Sequence, residues 1–238
     1  MYKNYIRKLN IYVKNKFPLF GITGSLFILI AIVVTQFAFK NLEGGKYSMG
    51  NHFISELGWV GVSKHALIFN INLIIAGILF IVFIYGLTLQ FNGIWGKLTT
   101  VFGLTSSLGC TLVGISPLQT GVIPIKLHLL AAMFFFTNAL LAILTSTFMV
   151  LSQKHKIVSK LSCILNLLIL SLFASLLTVD FNNDVLRYID FKNMKIINRP
   201  PQWNVPIIEW TIVLSIITYI LLSSFYFIFR QRNIKNIK

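Results

Sequence analysis

Residues 17–39 read FPLFGITGSLFILIAIVVTQFAF, and no charged side chain interrupts them. A helix of about 20 apolar residues crosses the roughly 30 Å of hydrocarbon in a bilayer. Backbone in lipid must satisfy its own N–H and C=O groups, and a helix does so within one segment. This run is therefore long enough to span, with Pro18 expected in the first turn, where its missing N–H does no harm. It is too long for the apolar core of a signal peptide, and 36–45 offers no small-residue cleavage pattern, so it reads as an uncleaved anchor.

Five more apolar runs follow, at 66–89, 98–116, 127–151, 157–179 and 205–229. The expected fold is all-α, an integral membrane bundle of six transmembrane helices forming one domain over 1–238. Composition agrees. With 56% hydrophobic residues, 11% charged and a mean hydropathy of +0.79, the chain exceeds the apolar content of a soluble domain. No Ser/Gly/Pro-rich linker separates a second unit. Cys110 and Cys163 both lie inside apolar runs without a CxxC pair, as small buried hydrophobes do.

The net charge of +15 is spread in short clusters beside the spans. That placement excludes a nucleic-acid partner, which needs a soluble basic face, and points to membrane lipids with anionic headgroups. Lys3, Arg7, Lys8, Lys14 and Lys16 precede the first span, Lys97 lies in the second connection, and Lys154, Lys156 and Lys160 in the fourth. Arg230, Arg232, Lys235 and Lys238 follow the last. The positive-inside rule then places both termini in the cytoplasm and the protein in the cell membrane as a multi-pass chain. Trp59, Trp203 and Trp210 mark the outer interface, and Trp95 the inner one.

Span three carries small residues every fourth position, Thr99, Gly103, Ser107 and Thr111, with Ser106, Cys110 and Gly114 beside them. Such a stripe lets a neighbouring helix approach closely and marks this span as central. No repeat relates spans one to three with four to six, so an inverted-repeat transporter is unsupported.

Every carboxylate, Glu43, Glu56, Asp180, Asp184, Asp190 and Glu209, lies in or at the edge of an odd-numbered connection. His52, His65 and His128 join them on that side. His52 and Glu56 would share a face if 51–58 were helical. With His128 and Asp180 they offer an acid–base group at the membrane surface, or a zinc set drawn from His52, His128 and Asp180. His128, in the first turn of span four, and Glu56 stand out, because an ionisable group near hydrocarbon needs a partner. Ser55, Asn70, Arg199 and Glu209 complete the expected polar pocket. The fifth connection turns rigid at Arg199-Pro200-Pro201-Gln202-Trp203, a tether or a cap over that pocket.

Several activities are excluded. A GxSG serine with a later intramembrane histidine, a phosphate-cradling Ser-Gly-His and an aspartate-rich metal motif are all missing. The span centres hold no Asp, Glu, Lys, Arg or His, which disfavours an ion-coupled transporter.

Ile54-Ser55-Glu56-Leu57-Gly58, Phe69-Asn70, Gly114, Pro117 and His128 together resemble an uncharacterised six-span family, domain of unknown function 998. With Glu209-Trp210 at the mouth of the last span, the layout is also similar to the Frag/DRAM/Sfk-type membrane proteins. The resemblance implies six helices with a polar site at the outer face and a role in lipid handling. His52, His128 and Asp180 bear a more distant likeness to ceramidase-type zinc amidases, which have seven spans and a closing histidine pair that this chain lacks. The expected function is lipid-associated. A metal-dependent lipid hydrolase or transferase is the alternative, and a small transporter or channel subunit the third. Residue types alone decide neither cofactor nor oligomeric state.

Overall fold

A computed structural model describes residues 2–39, 46–152, 160–179, 186–190, 195–196 and 198–236. Its helices are α1 (Tyr2–Ala38), α2 (Ala66–Thr88), α3 (Ile94–Ile115), α4 (Val122–Leu151), α5 (Lys160–Leu177) and α6 (Asn204–Asn236). Two-residue strands, Ile189–Asp190 and Lys195–Ile196, pair antiparallel between α5 and α6. The fold is all-α. Five helices are long and apolar enough to cross a membrane, and α5 contributes a shorter apolar stretch at Ser162–Leu176. The expected fifth span, 157–179, begins in residues outside those described.

Each helix packs on its neighbours in chain order, and α6 closes back on α1. The six form a ring. The first, third and fifth connections gather at one end, here the cap end, and both terminal helices point their free ends to the other. Among the described residues, Arg7, Lys8, Lys14, Lys16, Lys97, Arg230 and Arg232 belong to that second, basic end.

Small residues set the close approaches around the ring. A Cβ on Gly103 would lie 2.7 Å from Ile84 Cγ2 of α2, and one on Gly109 would lie 2.7 Å from Phe135 Cα of α4. The Ser107 carbonyl and Thr111 likewise crowd Gly77 of α2. The small stripe is thus a packing surface, as expected, but α3 is one stave between α2 and α4 rather than a hub.

Three helix starts lie clearly earlier than the apolar runs suggest, α3 at Ile94 and the two that bear on the site. α1 begins fifteen residues before 17, so Pro18 sits inside the helix and not in its first turn. A proline there deprives the carbonyl four residues back of its donor. The Lys14 carbonyl instead accepts a hydrogen bond from Gln90 Nε2 at 3.0 Å. α4 begins at Val122, with Pro124 in the tolerant first turn, which moves His128 into the second turn.

Inside the ring lies an apolar cleft of about 90 Å³. All helices but α5 line it, with Ile84, Gly103, Ser106, Phe135, Ile143 and Ile217 among the walls. None of its lining residues is Asp, Glu, Lys, Arg or His.

Candidate functional site

The cap end is built around the connection from α1 to α2. A short 3-10 turn, Ile54–Gly58, descends between α1, α2 and α6 and buries Ile54, Glu56, Leu57 and Gly58. Gly58 is needed for this descent. A Cβ there would collide with Asn70 Oδ1, and Asn70 Nδ2 donates to the Gly58 carbonyl at 2.9 Å. Asn70, expected in the pocket, therefore holds the turn against α2.

The first two N–H groups of the turn region find carboxylates. Phe53 N–H donates to Glu56 Oε1 at 2.8 Å, and Ile54 N–H donates to Glu209 Oε2 at 3.1 Å. Glu56 is only 2% exposed. Its charge is met by Arg199, whose Nη2 lies 2.7 Å from Oε2 and whose Nη1 lies 3.0 Å from Oε1. This fork-on-fork geometry is the strong form of an ion pair. Burial raises the Glu56 pKa, while the Arg199 hydrogen bonds and charge and the Phe53 N–H hold it down.

Arg199 also donates to the Asn51 carbonyl, and Asn51 Nδ2 returns a bond to the Pro200 carbonyl at 3.2 Å. Trp203 N–H donates to the Gly50 carbonyl at 2.8 Å, while its ring stacks edgewise on Phe53 and Tyr188. On the other flank Val60 N–H donates to the Leu118 carbonyl at 2.8 Å. The first connection thus ties down both the third and the fifth.

His52 lies in the turn before Ile54, so it shares no helical face with Glu56. The condition for a shared face, a helix over 51–58, is not met: only Ile54–Gly58 is wound, and as a 3-10 turn. His52 Nδ1 lies 2.6 Å from Asn51 Oδ1 and 3.2 Å from the Ser48 carbonyl. The Ser48 N–H also approaches Nδ1, at 3.3 Å, but the closer pair of acceptors favours a proton on that nitrogen. Nε2 is then a bare lone pair, buried and without a hydrogen-bond partner among the described residues, with the rings of Phe39 and Tyr47 packed against the imidazole. Burial first, then the Arg199 charge, pull its pKa from 6.5 to about 4.

His128 is buried as well, and its Nδ1 lies 2.8 Å from the Ser116 carbonyl at the end of α3. It pins α4 to α3 across the third connection, whereas Glu56 spends its oxygens on Arg199 and Phe53. Ser55 is half-buried in the turn. Asp180, with Glu43, Asp184 and His155, lies outside the described residues. Among those described, no three of His, Cys, Asp or Glu come together as metal ligands.

Two cap residues, Tyr47 and Asn51, had no signal in the sequence as site partners, and Trp210 was marked only by its place at the outer interface. Tyr47 Oη donates to the Phe53 carbonyl at 2.9 Å, Trp210 Nε1 donates to the His52 carbonyl at 3.0 Å, and Asn51 links to Pro200. Burial, followed by the nearby Glu209 and Glu56 charges, drives the Tyr47 phenol pKa up, so it stays a neutral donor. Chemically, the cap is a dense hydrogen-bond network in which, among the described residues, His52 Nε2, Trp59 Nε1 and Ser63 Oγ are the buried polar atoms left without a partner.

No curated protein and no solved structure matches this chain. A sequence family described as a protein of unknown function (DUF998) matches residues 24–225, from the second turn of the first apolar run to the last third of α6. That stretch contains the whole cap and the whole cleft, and the chain belongs to the DUF998 family of multi-pass membrane proteins.

Proposed function

We propose that this protein holds a lipid chain inside its helical ring, in the cell membrane, with both termini cytoplasmic and the cap at the outer face. The carrying observation is the apolar cleft between α1, α2, α3, α4 and α6. Protein interiors are normally packed to crystal density, and a void bounded by aliphatic and aromatic walls forfeits dispersion contacts on every side. In a bundle whose solvent is lipid, an acyl or isoprenoid segment restores them. The lining hydroxyls of Ser106 and Ser107 are already bonded to backbone carbonyls of Phe135 and Gly103, so they place no unmet polar demand on an apolar guest. A charged headgroup has no partner in the cleft and belongs at the membrane surface.

Lipid analysis of gently purified protein tests this. Ala139 lines the cleft and is 5% exposed. Ala139→Phe should fill the space and lower the lipid that co-purifies by about fivefold, with thermal stability kept or raised. Unchanged lipid content in a folded variant would refute the reading. Stoichiometric zinc with no bound lipid would support a metal-dependent enzyme instead.

A further inference from the structure

We infer that the groove between the start of α1 and the end of α2 is a site for one anionic phospholipid, on the opposite end of the molecule from the cap. α1 has 37 residues and so runs about 55 Å, against roughly 30 Å of hydrocarbon. Its uncharged part starts at Phe17, so the preceding turns emerge at headgroup level. There Ile6, Arg7, Asn10, Ile11 and Lys14 of α1 and Leu89 beyond α2 line a groove.

Its two cations and its apolar floor come from the same face. Arg7, Ile11 and Lys14 follow the i, i+4, i+7 spacing of one helix stripe, while Lys8 and Lys16 fall on other faces. Ile6 and Ile11 are 37% and 52% exposed, an apolar lining at headgroup level suited to the glycerol carbons beside a phosphate. The groove is held in shape. Tyr85 Oη donates to Asn10 Oδ1 at 2.9 Å, and Gln90 Nε2 occupies the Lys14 carbonyl that Pro18 leaves free. That last bond fixes the backbone beneath the Lys14 side chain.

Charge complementarity selects the occupant. All six carboxylates of the chain belong to the odd connections or the start of α6, so none is supplied to this end. A phosphodiester headgroup is the anion that a membrane presents at this depth. A guanidinium takes it through two N–H donors and a lysine as a point charge.

The experiment is native mass spectrometry of the full-length protein in detergent with added phosphatidylglycerol or phosphatidylcholine. Phosphatidylglycerol should bind with one copy more than phosphatidylcholine, beyond any lipid held in the cleft. Arg7→Gln with Lys14→Gln should weaken it by about tenfold or more. Lys8→Gln with Lys16→Gln, which removes the same charge from other faces, should leave affinity within about twofold. Arg7→Lys with Lys14→Arg should retain binding and shows that the groove still folds. Equal loss in the two Gln pairs would reduce the effect to diffuse attraction and overturn the site. Equal binding of the two lipids would overturn it too, as would displacement by inorganic phosphate, which would assign the cations to a soluble anion. Ala139→Phe in the cleft should not change this binding, so the two readings fail separately.

Discussion

Arg199 is the residue on which the cap depends most. It neutralises Glu56, bonds the Asn51 carbonyl, and is followed by the prolines that hold its backbone. Removing one partner of a buried pair leaves an uncompensated charge and costs about 3–5 kcal/mol. Arg199→Met should therefore lower unfolding free energy in detergent by that order. Adding Glu56→Gln should recover most of the loss, because an amide oxygen still accepts from Phe53 N–H without a charge. A double variant as unstable as the single one would transfer the role to the Asn51 contact. His52 makes a second prediction, of pH dependence. An unfolded imidazole protonates near 6.5, whereas His52 in the fold stays neutral down to about 4. Between those values the unfolded state binds more protons, so stability must fall as the pH drops. The loss approaches about 3 kcal/mol below the lower value. Thermal unfolding at pH 7 and pH 4.5 should show this decline, and His52→Gln should flatten its share. The same slope in both proteins would exclude His52 as the source.

Among the elements, α3 carries the sharpest test of packing. Gly103 and Gly109 have equal hypothetical Cβ contacts of 2.7 Å, but the neighbours differ. Ile84 Cγ2 is a side-chain atom that can shift with its rotamer, whereas Phe135 Cα is backbone. Gly109→Ala should lower the melting temperature more than Gly103→Ala, by an overpacking cost of about 1–3 kcal/mol. Equal effects would mean that α3 and α4 slide apart freely. The helices themselves were legible because hydrocarbon thickness sets the length of an apolar run: five of the six expected runs are helices long enough to span, and the fifth run holds a shorter apolar stretch at Ser162–Leu176. The ends were less so. Charge density at Arg7, Lys8, Lys14 and Lys16 reads as a loop, yet nothing in those side chains breaks a helix, and the bond from Gln90 removes the penalty of Pro18. The cap was half legible. Glu56, Arg199, Glu209, Asn70 and His52 were identifiable as polar groups at one membrane face, but periodicity carries no information about partners 143 residues apart, as Glu56 and Arg199 are. For His128, depth was all that chain topology supplied. Its contact with Ser116, local to the α3–α4 connection, had no signal in the spacing.

For the molecule as a whole, the ring order and the charge asymmetry make one statement about orientation. In a background with Cys110 and Cys163 replaced, Met49→Cys, which lies on the cap at 39% exposure, should react with an impermeant thiol reagent in intact cells. Arg232→Cys at the end of α6 should react only after lysis. Labelling of position 232 from outside would invert the molecule and place the cap in the cytoplasm. The ring has another consequence, for how the chain is made. Since each helix touches chiefly the one before it, a nascent chain has a docking surface ready for every new helix as it leaves the ribosome. The closing contacts are the exception. Glu56 is synthesised early and must wait for Arg199, and His52 waits for Trp210. Until α6 arrives, the half-built protein carries an unpaired carboxylate at its rim and an open seam between α1 and α5. A chain stalled before α6 therefore differs from the finished one by an exposed acid and an unsealed groove.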